Sequence, residues 1–300
     1  TAKAITLTGA ATGTTVGTYG IELDFNATLN VYATGVGGGV TLNTAQATTG
    51  TDRFDLVTRS PLTVLANGGD INLLAGHNGG ASNGYWYKQS DVYLGSRANS
   101  PVTASASNVT IQYDGFWWVS GGNPAIATTG EVVIQPYSTA FRQGVSTSWF
   151  SFNQNGQTMS GLTVGKETNN LSIIVESSNL TVNGDVNIYG DDIWVRSVDF
   201  DTSGVSGGDV LLKAKGYIVL DTNTDITTNQ GHVVLWSNVG NATSGSYNNE
   251  IDLRGNNAIT TSGGHIWMGG GAGSTTWSGI AVGDGYAYRS TNDYGALFLR

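Results

Sequence analysis

Gly184-Asp185-Val186-Asn187-Ile188, Gly208-Asp209-Val210-Leu211-Leu212, Gly231-His232-Val233-Val234-Leu235 and Gly264-His265-Ile266-Trp267-Met268 are four copies of one phrase. Each copy is a glycine, a polar residue, then apolar-x-apolar. Two earlier copies are Gly69-Asp70-Ile71-Asn72-Leu73 and Gly130-Glu131-Val132-Val133-Ile134. From Gly184 to Gly208 is 24 residues, and from Gly208 to Gly231 is 23. From Gly231 to Gly264 is 33, with the excess in a Gly/Asn/Ser-rich stretch over 238–249. The earlier gaps, 61 and 54, fit two units or somewhat more. A fixed interval of this size marks a repeat architecture.

The coil from 208 to 230 shows the parts. Gly208 to Ala214 reads as a first strand, Tyr217 to Leu220 as a second and Ile226 to Thr228 as a third, with turn residues between them. Alternation points Val210, Leu212, Ile218, Leu220 and Ile226 inward. No window shows helical i, i+3, i+4, i+7 spacing, and no apolar run is long enough to span a bilayer as a helix. The prediction is an all-β, right-handed parallel β-solenoid with about three short strands per coil and loop insertions. Handedness rests on the crossover rule. At ~24 residues per coil the chain holds about ten to twelve coils, stacked at ~4.8 Å over about 50–60 Å.

Composition fits that geometry. Glycine is 44 of 300 residues, and charged residues are 12 %. Corners need tight turns, often at φ > 0, which favours glycine. Stacked coils set equivalent side chains ~4.8 Å apart, where like charges repel. With no cysteine, disulfide scaffolds, Cys-ligated zinc and thiol chemistry are excluded. Thirteen basic against 22 acidic residues give −9, so no basic stripe exists for nucleic acid.

The organisation predicted is one solenoid segment over 1–300: less regular over 1–60, aromatic insertions over 61–158, regular coils over 159–300. A separate β cap or sandwich over 1–60 is the competing reading. The stretches 80–93 and 141–156 read as loops or hairpins leaving the solenoid. Thr1 is not an initiator Met, and the chain stops on strand-like Ala296 to Arg300, so it is read as a piece of a longer protein.

Residues 226–238 (ITTNQGHVVLWSN) and 259–271 (ITTSGGHIWMGGG) resemble the repeats of large bacterial surface adhesins of the filamentous-haemagglutinin type. The likeness is clearest over 160–271 and weaker over 60–137. It implies a solenoid stalk, an extracellular or cell-surface location and a part in adhesion, with no catalytic residues to carry over. Such proteins carry Asn-Pro-Asn motifs in their secretion domain. This chain has none, which fits an internal segment or another export route.

Aromatic clusters are the binding candidates: Tyr85-Trp86-Tyr87, Phe116-Trp117-Trp118, Trp149-Phe150 with Phe152, and Trp277 with Tyr286 and Tyr288. Exposed rings stack on sugars and anchor protein partners, whereas buried ones fill a core. Tyr85, Trp86, Tyr87, Trp117, Trp118, Trp149 and Trp277 are therefore the ligand-binding candidates, with glycans, other surface proteins or neighbouring repeats as partners. Phe116, Trp117 and Trp118 are consecutive, so at least one faces outward. Trp194, Trp236 and Trp267 read as outer-face or corner residues.

Other chemistry is thinner. Asp70, Glu131, Asp185, Asp209, His232 and His265 form an outward ladder, with Asp209 beside His232 and His232 beside His265. No third ligand stands in register, so no metal is assigned. Asp191-Asp192, Asp199 with Asp201, and Asp221 with Asp225 could offer oxygens to calcium, but calcium-binding spacings are absent and these are ordinary turn residues. No cofactor is assigned. The chain reads as non-enzymatic and adhesive. A self-assembling extracellular fibre subunit and a carbohydrate-active β-helix enzyme are the alternatives, the latter needing two carboxylates and a basic residue in one groove.

Overall fold

The computed structural model describes residues 4–9, 20–25, 28–44, 55–76, 85–96, 106–239, 250–270 and 280–282. The chain divides into two compact units. The first holds 1–143 with 149–159, and the second holds 144–148 with 160–300. Both are built from short strands that pair in parallel with the equivalent strand one coil away, so each is a parallel β-solenoid. Among the described residues no helix is long and apolar enough to cross a membrane.

In the first unit, strand β1 (Ala4–Thr8) precedes three-strand coils. They are β2 (Ile21–Leu23), β3 (Leu29–Tyr32) and β4 (Gly38–Asn43); β5 (Leu56–Thr58), β6 (Leu62–Ala66) and β7 (Gly68–Ala75); β8 (Tyr85–Lys88), β9 (Val92–Ser96) and β10 (Val109–Tyr113); and β11 (Gly115–Trp118), β12 (Ala125–Ala127) and β13 (Glu131–Gln135). One wall stacks β1, β4, β7, β10 and β13. A second stacks β2, β5, β8 and β11, and the third stacks β3, β6, β9 and β12. Residues 21–43 thus form a coil of the same three walls. The stretch 80–93 is corrected: Tyr85–Lys88 is a wall strand paired with β5 and β11 instead of an excursion. Trp86 and Lys88 point inward there, and a lysine at an inward position hides the strand from a periodicity reading.

In the second unit, β14 (Val145–Ser146) and β15 (Gly161–Val164) lead into four regular coils. These are β16 (Ile173–Glu176), β17 (Leu180–Thr181) and β18 (Val186–Gly190); β19 (Ile193–Arg196), β20 (Phe200–Asp201) and β21 (Val210–Ala214); β22 (Ile218–Leu220), β23 (Ile226–Thr227) and β24 (Val233–Ser237); and β25 (Ile251–Leu253), β26 (Ile259–Thr260) and β27 (Ile266–Gly270), before β28 (Ile280–Val282). Val186, Val210, Val233 and Ile266 are stacked partners, so the phrase read from sequence is the structural repeat. Val145–Ser146 pairs with Ile173–Ile174, so this part of 141–156 also lies in the wall.

Stacked apolar side chains dominate the energetics. Val210, Leu212, Ile218, Leu220 and Ile226 are each 0 % exposed. A fully buried side chain of this kind stabilises by ~1.5–3 kcal/mol, more than the ~0.5–1.5 kcal/mol net from one hydrogen bond. Hydrogen bonds instead fix the register. Thr228 Oγ donates to the carbonyl of Gly231 at 2.6 Å, and Thr261 Oγ to that of Gly264 at 2.7 Å. In these two coils the buried threonine three residues before the motif glycine closes the corner; at Gly208 the same bond comes from Thr202, six residues before it, at 2.7 Å.

The motif glycine itself has a different cause from the one its composition suggests. A Cβ on Gly231 would stand 2.0 Å from the Gly208 carbonyl oxygen, and one on Gly264 1.9 Å from that of Gly231. Neither residue has positive φ; that conformation falls one residue earlier, at Gln230 (φ 64°) and Gly263 (φ 119°). The glycine is there because one coil's backbone rests on the next.

Candidate functional site

The second wall of the first unit carries most of the aromatic candidates. Its register stacks Val57, Tyr87 and Trp117 on one side and Leu56, Trp86 and Phe116 on the other. Alternation sends the second set inward. Trp86 is 0 % exposed, and its indole Nε1 donates to Thr58 Oγ1 at 3.2 Å. Its ring meets Phe116 edge-on at 5.2 Å, and the cluster continues through Tyr113, Phe141, Trp149 and Phe150. Trp86 is accordingly corrected from a ligand candidate to a core residue, since it offers no ring face to solvent. Trp149 is half-buried and stacks on Phe116 at 5.4 Å, closing this core.

The outer side is different. Trp117 is 51 % exposed, Trp118 52 % and Val119 46 %. Trp117 lies in register with half-buried Tyr87. The Arg59 guanidinium sits 5.9 Å from the Tyr87 ring centre and 5.6 Å from that of exposed Phe25, and it pairs with Glu22. Phe25, Arg59, Tyr87 and Trp117 thus make a strip of rings with one embedded cation. Trp118 curls across the following turn, its Nε1 donating to the carbonyls of Ser120 and Gly121, both at 3.1 Å. Tyr85 is less available: its ring lies over Gly115 and has the Arg142 guanidinium 5.8 Å from its centre. Trp277 lies outside the described residues.

Sequence reading missed Arg59 and Phe25. The signal was present in register only: Val57 stacks on Tyr87, which brings the residue two positions on to the edge of that ring.

The outward ladder takes a specific form. Asp185 Oδ1 accepts the N–H of Asp209 at 2.9 Å, and Asp209 Oδ1 accepts that of His232 at 2.6 Å. His232 Nδ1 accepts that of His265 at 2.9 Å, with the two rings stacked 5.1 Å apart and 6° from parallel. Asn108 plays the same part for Glu131. One member of each acid cluster behaves likewise, whereas Asp201 and Asp221 bond their own turns at Ser203 and Thr222. Asp199 Oδ1 accepts the N–H of Asp225, and Asp225 Oδ1 that of Ala258. Asp192 Oδ1 accepts that of Tyr217, and burial raises its pKa. These carboxylates serve the next coil's backbone. Among the described residues no group of three or more His, Cys, Asp or Glu could hold a metal ion.

Two outward tryptophans of the second unit, Trp194 and Trp236, have cations over their rings. Arg196 and Arg254 lie 4.9 and 5.3 Å from the Trp194 ring centre, and Lys213 lies 4.8 Å from that of Trp236. Trp236 also meets Trp267 edge-on at 5.6 Å.

One place in the first unit gathers two carboxylates, a cation and a phenol: Asp55, Asp114, Arg142 and Tyr137. Asp55 is 4 % exposed and Asp114 5 %. Burial above all pushes Asp55 up to about 8; the Tyr85 N–H bonded to it lowers it, nearby Asp114 raises it and Arg142 lowers it. Both carboxyls lie buried within the wall. Comparison of the chain with protein-family models, with curated proteins and with solved structures finds no match.

Proposed function

We propose that this chain is a non-enzymatic structural and adhesive segment of a large extracellular bacterial surface protein. Its coils act as a scaffold, and the strip through Phe25, Arg59, Tyr87 and Trp117, with Trp118 beside it, is the contact face for glycans or another surface protein. One observation carries this reading: Trp117, Trp118 and Val119 are consecutive and roughly half exposed, directly outside a wall whose inner side is packed with rings. Contiguous exposed apolar side chains of this size mark interaction surfaces. Flat rings beside a guanidinium suit the faces of sugar rings, and aromatic residues with arginine are the usual anchors of protein interfaces. The surface location rests on the resemblance of the repeats to those of adhesins.

The test is binding of the whole chain to a glycan array and to immobilised cell-surface protein. Trp117→Ala should weaken the interaction about tenfold, corresponding to ~1.4 kcal/mol. Binding unchanged in this variant would remove the strip from the function.

A further inference from the structure

The third wall of the first unit carries a groove that is separate from the aromatic strip. Its volume is about 380 Å³, within the ~300–1,000 Å³ of ligand clefts. The floor is the outward register Thr63, Tyr93 and Ala125 of β6, β9 and β12. One side is the corner register Pro61, Asp91 and Asn123, and the far end is closed by Ser151 and Gln154.

Tyr93 is set as a flat floor. A Cβ on Gly95 would stand 2.9 Å from Tyr93 Cε1, so the ring lies down over a residue that has no side chain. Its hydroxyl is pinned by Asn155 Nδ2, which donates to it at 2.7 Å. The surrounding polar groups keep spare capacity. Asp91 Oδ1 accepts the Gly122 N–H at 2.7 Å, and among the described residues Oδ2 takes no hydrogen bond. Gln154 Nε2 donates to the Phe152 carbonyl at 2.9 Å, and among the described residues Oε1 takes none. Among the described residues the hydroxyls of Thr63 and Ser151 have no partner in the protein.

These groups sort the ligands. The floor strands are paired through their backbones on both sides of β9, so an extended peptide cannot add to them as a strand. Recognition must come from a ring face and from side-chain hydroxyl, amide and carboxylate groups. Among the described residues no cation lines the groove, and Asp91 is one of its lining residues, which disfavours an anionic ligand. The groove also crosses three coil levels ~4.8 Å apart, close to the length of one sugar ring, so equivalent groups can meet successive units of a chain.

We propose that this groove binds a neutral oligosaccharide, with Tyr93 stacking under one sugar ring and Thr63, Asp91, Ser151 and Gln154 bonding its hydroxyls. The site stands independently of the Trp117 strip.

The test is calorimetric titration of the whole chain with hexasaccharides of cellulose, mannan and starch, and with an oligogalacturonate of equal length. At least one neutral hexasaccharide should bind and the acidic one should not. Tyr93→Ala should abolish that binding, and Gln154→Ala should weaken it at least threefold. Gln154 is only partly buried, so its variant keeps the test open should Tyr93→Ala fail to fold. Binding of none of the neutral probes, equal binding of the acidic one, or undiminished binding in Tyr93→Ala or in Gln154→Ala would each overturn the proposal.

Discussion

Asp55 shows what a carboxyl does inside a solenoid wall. With a folded-state pKa of about 8 against 3.8 for the free side chain, it folds as the neutral acid. The folded state therefore holds a proton that the unfolded chain releases between about pH 4 and 8. Its contribution to stability is complete below pH 4, declines as pH rises and is gone above 8. Urea midpoints measured at pH 5, 7 and 9 should fall across this window, and Asp55→Asn should flatten the fall and be the more stable protein at pH 9. An unchanged slope would mean that Asp55 is not the titrating group. None of this was legible in the sequence, where Asp55 is one more turn acid. Its burial follows from the stacking of its corner on Tyr85, a contact 30 residues away. Trp86 and Trp117 teach the same lesson from the other side. As residue types they are alike, and only the phase of the strand puts one in the core and the other in solvent.

Among elements, the corner phrase explains most. The period-2 strands and their inward residues were legible because hydrophobic alternation is a local signal. The strand Tyr85–Lys88 was not, because its inward lysine, which donates to the Ser120 carbonyl at 3.3 Å, breaks the alternation. The motif glycine was legible as a position but not as a cause, since the backbone it touches belongs to another coil. Gly231→Ala is the direct probe. Its Cβ would meet the Gly208 carbonyl at 2.0 Å and force two coils apart. Overpacking of this kind costs about 1–3 kcal/mol, to be read from urea unfolding. Gly37→Ala lacks such a neighbour and differs in that φ 74° is its only obstacle. A smaller loss at Gly231 than at Gly37 would refute the backbone-contact account.

For the whole molecule, regularity should appear as a gradient of protection. β18, β21 and β24 alternate buried and half-buried residues and are paired on both sides, whereas β1 is largely exposed. Amide exchange should be slowest in Val186–Gly190, Val210–Ala214 and Val233–Ser237 and fastest in Ala4–Thr8, because local opening follows burial. Uniform protection would contradict the quasi-one-dimensional picture. The unbroken register of these same strands has an evolutionary side. Excising 210–232 would join Asp209 to Val233 and bring Val233 against Val186, with every inward residue still inward. A gene encoding such coils can lengthen or shorten its product by whole turns through unequal recombination, without a single compensating substitution elsewhere.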